Sequence, residues 1–254
     1  MHQVSAPTSN QIIEAQKLVN KTELNKPKKK SYNEIQNYIS NIKNQLLPAA
    51  YEICFNYSEK QNDICGWEIK YQEKDEFNAF ASKSNEVTLY SGIFNTLENE
   101  TEIAFVLSHE ISHHILNHIS ESSRNIHLGN LIGSAVGIAT VKDDYSMTST
   151  EKYDVISTSS NIGEKLGSLV FSREQENEAD LFALLIMKEA GYDLDLAKNA
   201  IIKITKINKD ESLRSDFFDT HPSGFERVAN YSKNLNSDLL LKSNPDNNIK
   251  SEGY

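Results

Sequence analysis

Over residues 32–50, apolar side chains recur at Ile35, Tyr38, Ile39, Ile42 and Leu46, the spacing of one helix face, and Pro48 falls near the end of the stretch. Trp67, Ile69 and Tyr71 alternate with Glu68, Lys70 and Gln72, which predicts a half-buried strand. Two shorter strands are expected over 78–81 and 86–90, completing a small antiparallel sheet. Asn99 followed by Glu102 has the form of a capping box and predicts a long helix over 100–122. Ser172 with Gln175 repeats that signal. The helix it opens carries Ala179, Phe182, Ala183, Ile186, Met187 and Ala190 on one face and ends before Gly191. A further helix is expected over 194–207. The pattern is α+β and mostly helical.

Three stretches lack such periodicity. Residues 1–30 form a polar, Lys/Asn-rich segment expected to be flexible, with one weak helical stretch over 12–19. Residues 123–170 are rich in small residues and Ser/Thr clusters and are expected to form a mobile insertion or lid. The polar tail of 236–254 is expected to fray. The folded domain is then 31–235.

Composition narrows the choice. With 254 residues, 38% hydrophobic and 24% charged, the chain can bury a real core. A formal charge of −10 argues against nucleic acid as a partner, because phosphate binding needs a basic surface. The basic run Lys26-Pro27-Lys28-Lys29-Lys30 is a local exception. It is expected to be a solvated linker, with peripheral contact to an anionic membrane as the sharper alternative. No stretch reaches the roughly 18 apolar residues of a membrane helix. Met1-His2-Gln3 opens directly into polar sequence, so an exported location would need its signal or lipoprotein segment outside this sequence. Cys54 and Cys65 are the two cysteines. They either close one small loop as a disulfide, which implies an oxidising compartment such as the periplasm, or remain buried thiols. A cytoplasmic location stays open on the second reading.

The chemistry concentrates in Ser108-His109-Glu110-Ile111-Ser112-His113. On a helix, His109 and His113 lie one turn apart and can share one metal ion, and Glu110 is rotated so that its carboxylate reaches a water at the site without ligating. Zinc would polarise a scissile carbonyl, and Glu110 would act as general base. Phe105, Val106, Leu107, Ile111, Ile115 and Leu116 surround the motif, which predicts a central helix. His114 follows His113 directly and must point away from the metal. A carboxylate ligand is available on the second helix. Glu176 and Asp180 are one turn apart on the face of Ala179 and Ala183, with Glu176 suited to the metal and Asp180 to a ligand histidine's free N–H.

These residues resemble the CAAX prenyl protease, HtpX and BepA family of gluzincin zinc metallopeptidases. The likeness rests on His-Glu-Ile-Ser-His together with Ser172-Arg173-x-x-Glu176-x-x-Ala179-Asp180, and it covers about residues 32–232. Asn78-Ala79-Phe80-Ala81 is similar to the family's edge strand beside the cleft, and Ser91-Gly92-Ile93-Phe94 to its lead-in to the metal helix. Ala190-Gly191-Tyr192-Asp193 and Thr220-His221-Pro222-Ser223 with Arg227 match two later motifs. The resemblance implies a zincin-type fold with the sheet beside the active-site helix, one zinc per chain, and Glu176 as third ligand. It also implies that His221 and Arg227 face the site as oxyanion stabilisers. His221 is in addition a candidate reversible fourth ligand.

An extended protein or peptide substrate would pair along Asn78 and Ala79. That suits quality control of unfolded proteins and sets the chain beside the soluble, BepA-like branch. The competing reading is a zinc-bound chaperone or assembly-binding module with low or gated proteolysis. Nothing in the residues speaks to oligomeric state.

Overall fold

The computed structural model describes residues 6–57, 65–82, 85–122, 171–210, 215 and 217–236. The insertion expected at 123–170 and the tail from 237 onward lie outside the described residues. The chain divides into two compact units, one of residues 1–116 with 172–254 and one of residues 117–171. In the second unit, the rings of His118 and Phe171 are 6.3 Å apart.

The first unit runs α1 (Ser9–Lys21), α2 (Tyr32–Tyr57), β1 (Glu68–Gln72), β2 (Ala79–Ala81), β3 (Glu86–Tyr90), α3 (Ser91–Thr96), α4 (Glu100–Ile115), α5 (Arg173–Glu189), α6 (Leu194–Asn208), α7 (Phe217–Thr220) and α8 (Phe225–Asn234). Helix α4 is the centre. It packs against α5, α6, α2 and the strands β2 and β3. Every residue of α4 from Glu102 to Ile115 is buried. Its two serines tolerate this because Ser108 and Ser112 donate to the carbonyls of Ala104 and Ser108, each at 2.7 Å. Buried Ile103, Phe105, Leu107 and Ile111 each contribute roughly 1.5–3 kcal/mol of apolar burial.

Asn99 caps α4 by accepting from the Glu102 N–H at 3.0 Å. The Glu102 carboxylate turns back to the Glu98 N–H and also receives Lys203 of α6 at 2.8 Å, anchoring the start of α4. The helix is shorter than the pattern predicts. It stops at Ile115, because Asn117 adopts φ 62°, a left-handed conformation that asparagine tolerates and that ends an α-helix. Helix α2 is longer than expected. It passes through Pro48, and buried Ile53 and Cys54 continue its apolar stripe. Cys54 and Cys65 are disulfide-bonded, joining the end of α2 to the approach to β1.

The sheet has the order β1-β3-β2. β2 pairs antiparallel to β3, with Ala79 opposite Leu89 and Ala81 opposite Val87. β1, however, runs parallel to β3, with Ile69 opposite Val87, so the expected all-antiparallel sheet is corrected to a mixed one. Alternation marks which residues face the core but not the direction of the neighbouring strand. Val87 and Leu89 point into the core, and β1 and β2 form the two edges. Gly92 at the start of α3 donates to the Lys74 carbonyl, and any Cβ there would collide with the Glu76 carbonyl.

The N-terminal segment contains a full helix, α1. Thr8 and Gln11 form its capping box, and it packs on α8 and α6 with Ala15 and Val19 buried.

Candidate metal centre

Helix α4 presents His109 and His113 one turn apart, with Nε2 atoms 3.1 Å from each other. Helix α5 starts at Ser172, whose capping box with Gln175 sets its first turn, and so places Glu176 against them. Glu176 Oε1 is 3.3 Å from His113 Nε2, and Oε2 is 3.5 Å from His109 Nε2. His221 follows α7, its backbone N–H bonded to the Phe217 carbonyl. Its Nδ1 is 3.0 Å from Glu176 Oε1 and 3.4 Å from His109 Nε2. One ligand atom from each of the four residues lies within 4.8 Å of all the others, and all four side chains are buried.

The donor set fits a zinc ion. Four ligands at zinc's bond lengths of roughly 2.0–2.1 Å stand roughly 3.3–3.4 Å apart, close to the spacings here. Charge points the same way. Glu110, Glu176 and Asp180 are at most 1% exposed, and Arg227, at 4%, is the guanidinium that faces them. With neutral histidines this leaves an excess of two negative charges, which a dication balances. Neither oxygen of Glu110 has a hydrogen-bond partner among the described residues. Buried acceptors left bare in this way mark a place built for a ligand.

Burial opposes the charged form of Glu176, but Arg227, His221 and His109 hold its carboxyl well below the usual carboxylate range. Burial pushes His113 well below its ordinary value. It also works against a charge on His109, yet Glu176 and Asp180 raise that imidazole to about 9. A raised His109 holds its proton in competition with a metal ion, which binds the neutral imidazole. Zinc uptake at about pH 7.5 is expected to release about one proton, with apparent affinity rising with pH until His109 loses its proton unaided. Calorimetric titration in two buffers of different ionisation enthalpy measures this. Equal heats in both would contradict it.

Asp180 lies behind the cluster. Its Oδ1 is 3.0 Å from His109 Nδ1, close but without the alignment of a hydrogen bond. Its firm partner is Arg227, whose Nε and Nη2 donate to the two carboxylate oxygens at 2.8 and 2.7 Å. Arg227 Nη1 pairs with Glu176 Oε2 and reaches the Pro222 carbonyl at 3.4 Å. Thus each guanidinium nitrogen is engaged by carboxylates or backbone. In this arrangement Arg227 braces Glu176 and Asp180.

His221 Nε2 is 3.6 Å from Glu110 Oε1, so His221 lies between the cluster and the base. Phe217 stacks on the His221 ring at 4.6 Å and 22°. Sequence reasoning passed over Phe217, although an aromatic four residues before a site histidine is a legible signal. Bonds from Thr205 and Asn208 of α6 to Ser223 pin the loop that carries His221. Asn78 and Ala79 lie at the sheet edge, where the Tyr90 N–H donates to the Asn78 carbonyl at 3.0 Å and Ala79 is buried.

A buried pair of helix-borne histidines, a bare carboxylate in the next position and an acidic partner from a second helix define a metal-dependent peptidase. Comparison with known proteins makes the assignment specific. The family model described as Peptidase family M48 matches residues 40–234, and the chain belongs to that family, whose metal is zinc. It is 29% identical over 162 residues to the mitochondrial metalloendopeptidase OMA1 of Arabidopsis thaliana, covering 63% of this chain and 30% of that protein. To metalloprotease LoiP of Escherichia coli (strain K12) it is 27% identical over 180 residues, covering 70% of this chain and 67% of that one. To the beta-barrel assembly-enhancing protease of Escherichia coli O157:H7 it is 27% identical over 159 residues, 61% of this chain and 31% of that protein. The chain thus spans about a third of OMA1 and of the assembly-enhancing protease. No helix among the described residues is long and apolar enough to cross a membrane.

Proposed function

We propose that this chain is a zinc endopeptidase that cleaves extended segments of unfolded or misassembled proteins. In this reading His109, His113 and Glu176 hold the zinc, which when bound supplies Lewis acidity toward the scissile carbonyl and the attacking water. Glu110 takes the proton from that water and delivers it to the leaving amine. Asp180 and Arg227 orient the ligands. The observation that carries the reading is the bare, fully buried carboxylate of Glu110 beside the four-residue cluster. An extended substrate adds to the edge strand β2, whose short length and mostly small side chains favour backbone pairing over side-chain selection.

Metal analysis with casein cleavage tests the function. Wild-type protein is expected to hold zinc stoichiometrically and to cleave casein, and a chelator to stop cleavage. Stoichiometric zinc with no cleavage would instead favour an assembly-binding module. One observation favours that second reading: His221 Nδ1 sits among the ligand atoms, where catalysis needs an open position. His221 is proposed as a reversible fourth ligand that gates the site. His221→Ala is expected to give up zinc to a chelator faster and to change basal casein cleavage. Unchanged activity together with unchanged zinc retention would sink the gate.

The Cys54–Cys65 disulfide supports an exported, oxidising location such as the periplasm. The name of one relative, a beta-barrel assembly-enhancing protease, is consistent with a role in protein quality control there.

A further inference from the structure

His114 directly follows the second histidine of the metal cluster, and the helix turns it away from that cluster. Its Nε2 lies 2.6 Å from the carbonyl oxygen of Ser82, the residue immediately after edge strand β2. A carbonyl only accepts, so Nε2 carries the proton and Nδ1 is the lone-pair nitrogen. That Nδ1 is buried and has no hydrogen-bond partner. The bond to Ser82 therefore engages one nitrogen and leaves the other without a hydrogen bond among the described residues.

Ser82 is held from the other side as well, because its N–H donates to the Glu86 carbonyl at 2.9 Å. The end of β2 is thus clamped between β3 and α4. β2 is three residues long, paired along its length to β3 and packed on α4. Glu110 precedes His114 by one helical turn, so base and clamp share one face of α4.

We propose that His114 is a positioning residue for substrate. By donating to the Ser82 carbonyl it fixes the height and register of β2 against α4. A chain that pairs along β2 then meets an edge already held in place. The proposal rests on the edge-strand reading of substrate binding given above. It concerns ground-state binding, so loss of the clamp raises KM and leaves kcat in place.

Two amides separate the clamp from mere packing. His114→Gln can still reach the Ser82 carbonyl, whereas His114→Asn is one methylene too short. With an internally quenched extended peptide, His114→Asn is expected to raise KM about three- to tenfold with kcat unchanged, and His114→Gln to stay within about twofold of wild type. Zinc content and melting temperature are measured alongside. If His114→Asn does not fold, His114→Phe keeps the ring volume and carries the same expectation. Should neither variant fold and hold zinc, His114 is a core residue and the proposal is wrong. A KM within about twofold of wild type in His114→Asn, or a fall in kcat at constant KM, overturns it too. Single backbone N-methyl groups along the same peptide test the edge-strand reading in the wild type. If no position raises KM, that reading fails and takes the role of His114 with it. If one does, the His114 variants decide alone.

Discussion

Replacing Glu110 with glutamine is expected to lower casein cleavage by about 10²–10⁴-fold while leaving zinc bound. Glutamine has nearly the shape of glutamate and removes only the charge and the basicity. Glu110 is not among the four clustered ligand residues, so zinc content is expected to match wild type by metal analysis. The same substitution is expected to stabilise the metal-free protein. Glu110 is fully buried, neither oxygen accepts a hydrogen bond, and it adds to a negative excess that Arg227 only partly offsets. Chelator-treated Glu110→Gln is therefore expected to melt above chelator-treated wild type. Opposite signs for activity and stability are the mark of a group kept for its chemistry. Full activity in the variant would remove Glu110 from the mechanism. Lost zinc would recast it as part of the metal's support.

Arg227→Met is expected to be the most destabilising single change at the site, costing about 3–5 kcal/mol in the metal-free protein. Its guanidinium forks onto both oxygens of Asp180 and also pairs with Glu176. Methionine fills similar space but leaves both carboxylates buried without their cation. Zinc relieves part of the repulsion by neutralising Glu176, so the loss measured by urea denaturation is expected to be smaller with zinc than with chelator. Arg227→Lys is expected to fall between, since one ammonium cannot reproduce the fork and reach Glu176 together. A loss of the same size with and without zinc would mean that Arg227 stabilises the fold independently of the centre.

Much of the arrangement was readable before any coordinates. Helices α4 and α5 were legible because an apolar period and a cap at Asn99 or Ser172 are local signals. The end of α4 was not. Asn117 takes a left-handed conformation that nothing in its neighbours demands. Helix α2 ran past Pro48 because burial of Ile53 and Cys54 outweighs the one missing hydrogen bond. The parallel pairing of β1 with β3 was hidden because both strands would alternate identically in an antiparallel sheet.

The metal centre divides the same way. That His109, Glu110 and His113 share one turn of helix, and that Glu176 and Asp180 share another, follows from the 3.6-residue period alone. Everything that joins the two turns belongs to the tertiary structure. Arg227 is 47 residues from Asp180, and no spacing rule says whether it points at substrate or at the carboxylates behind the metal. His221 is 112 residues from His109, and only packing of α7 on the cluster brings its Nδ1 within 3.4 Å. The sequence by itself determined which of these residues share a turn of helix, because helix geometry is local. Which of them meet across elements was decided by tertiary packing, because buried charges choose partners by proximity in the fold.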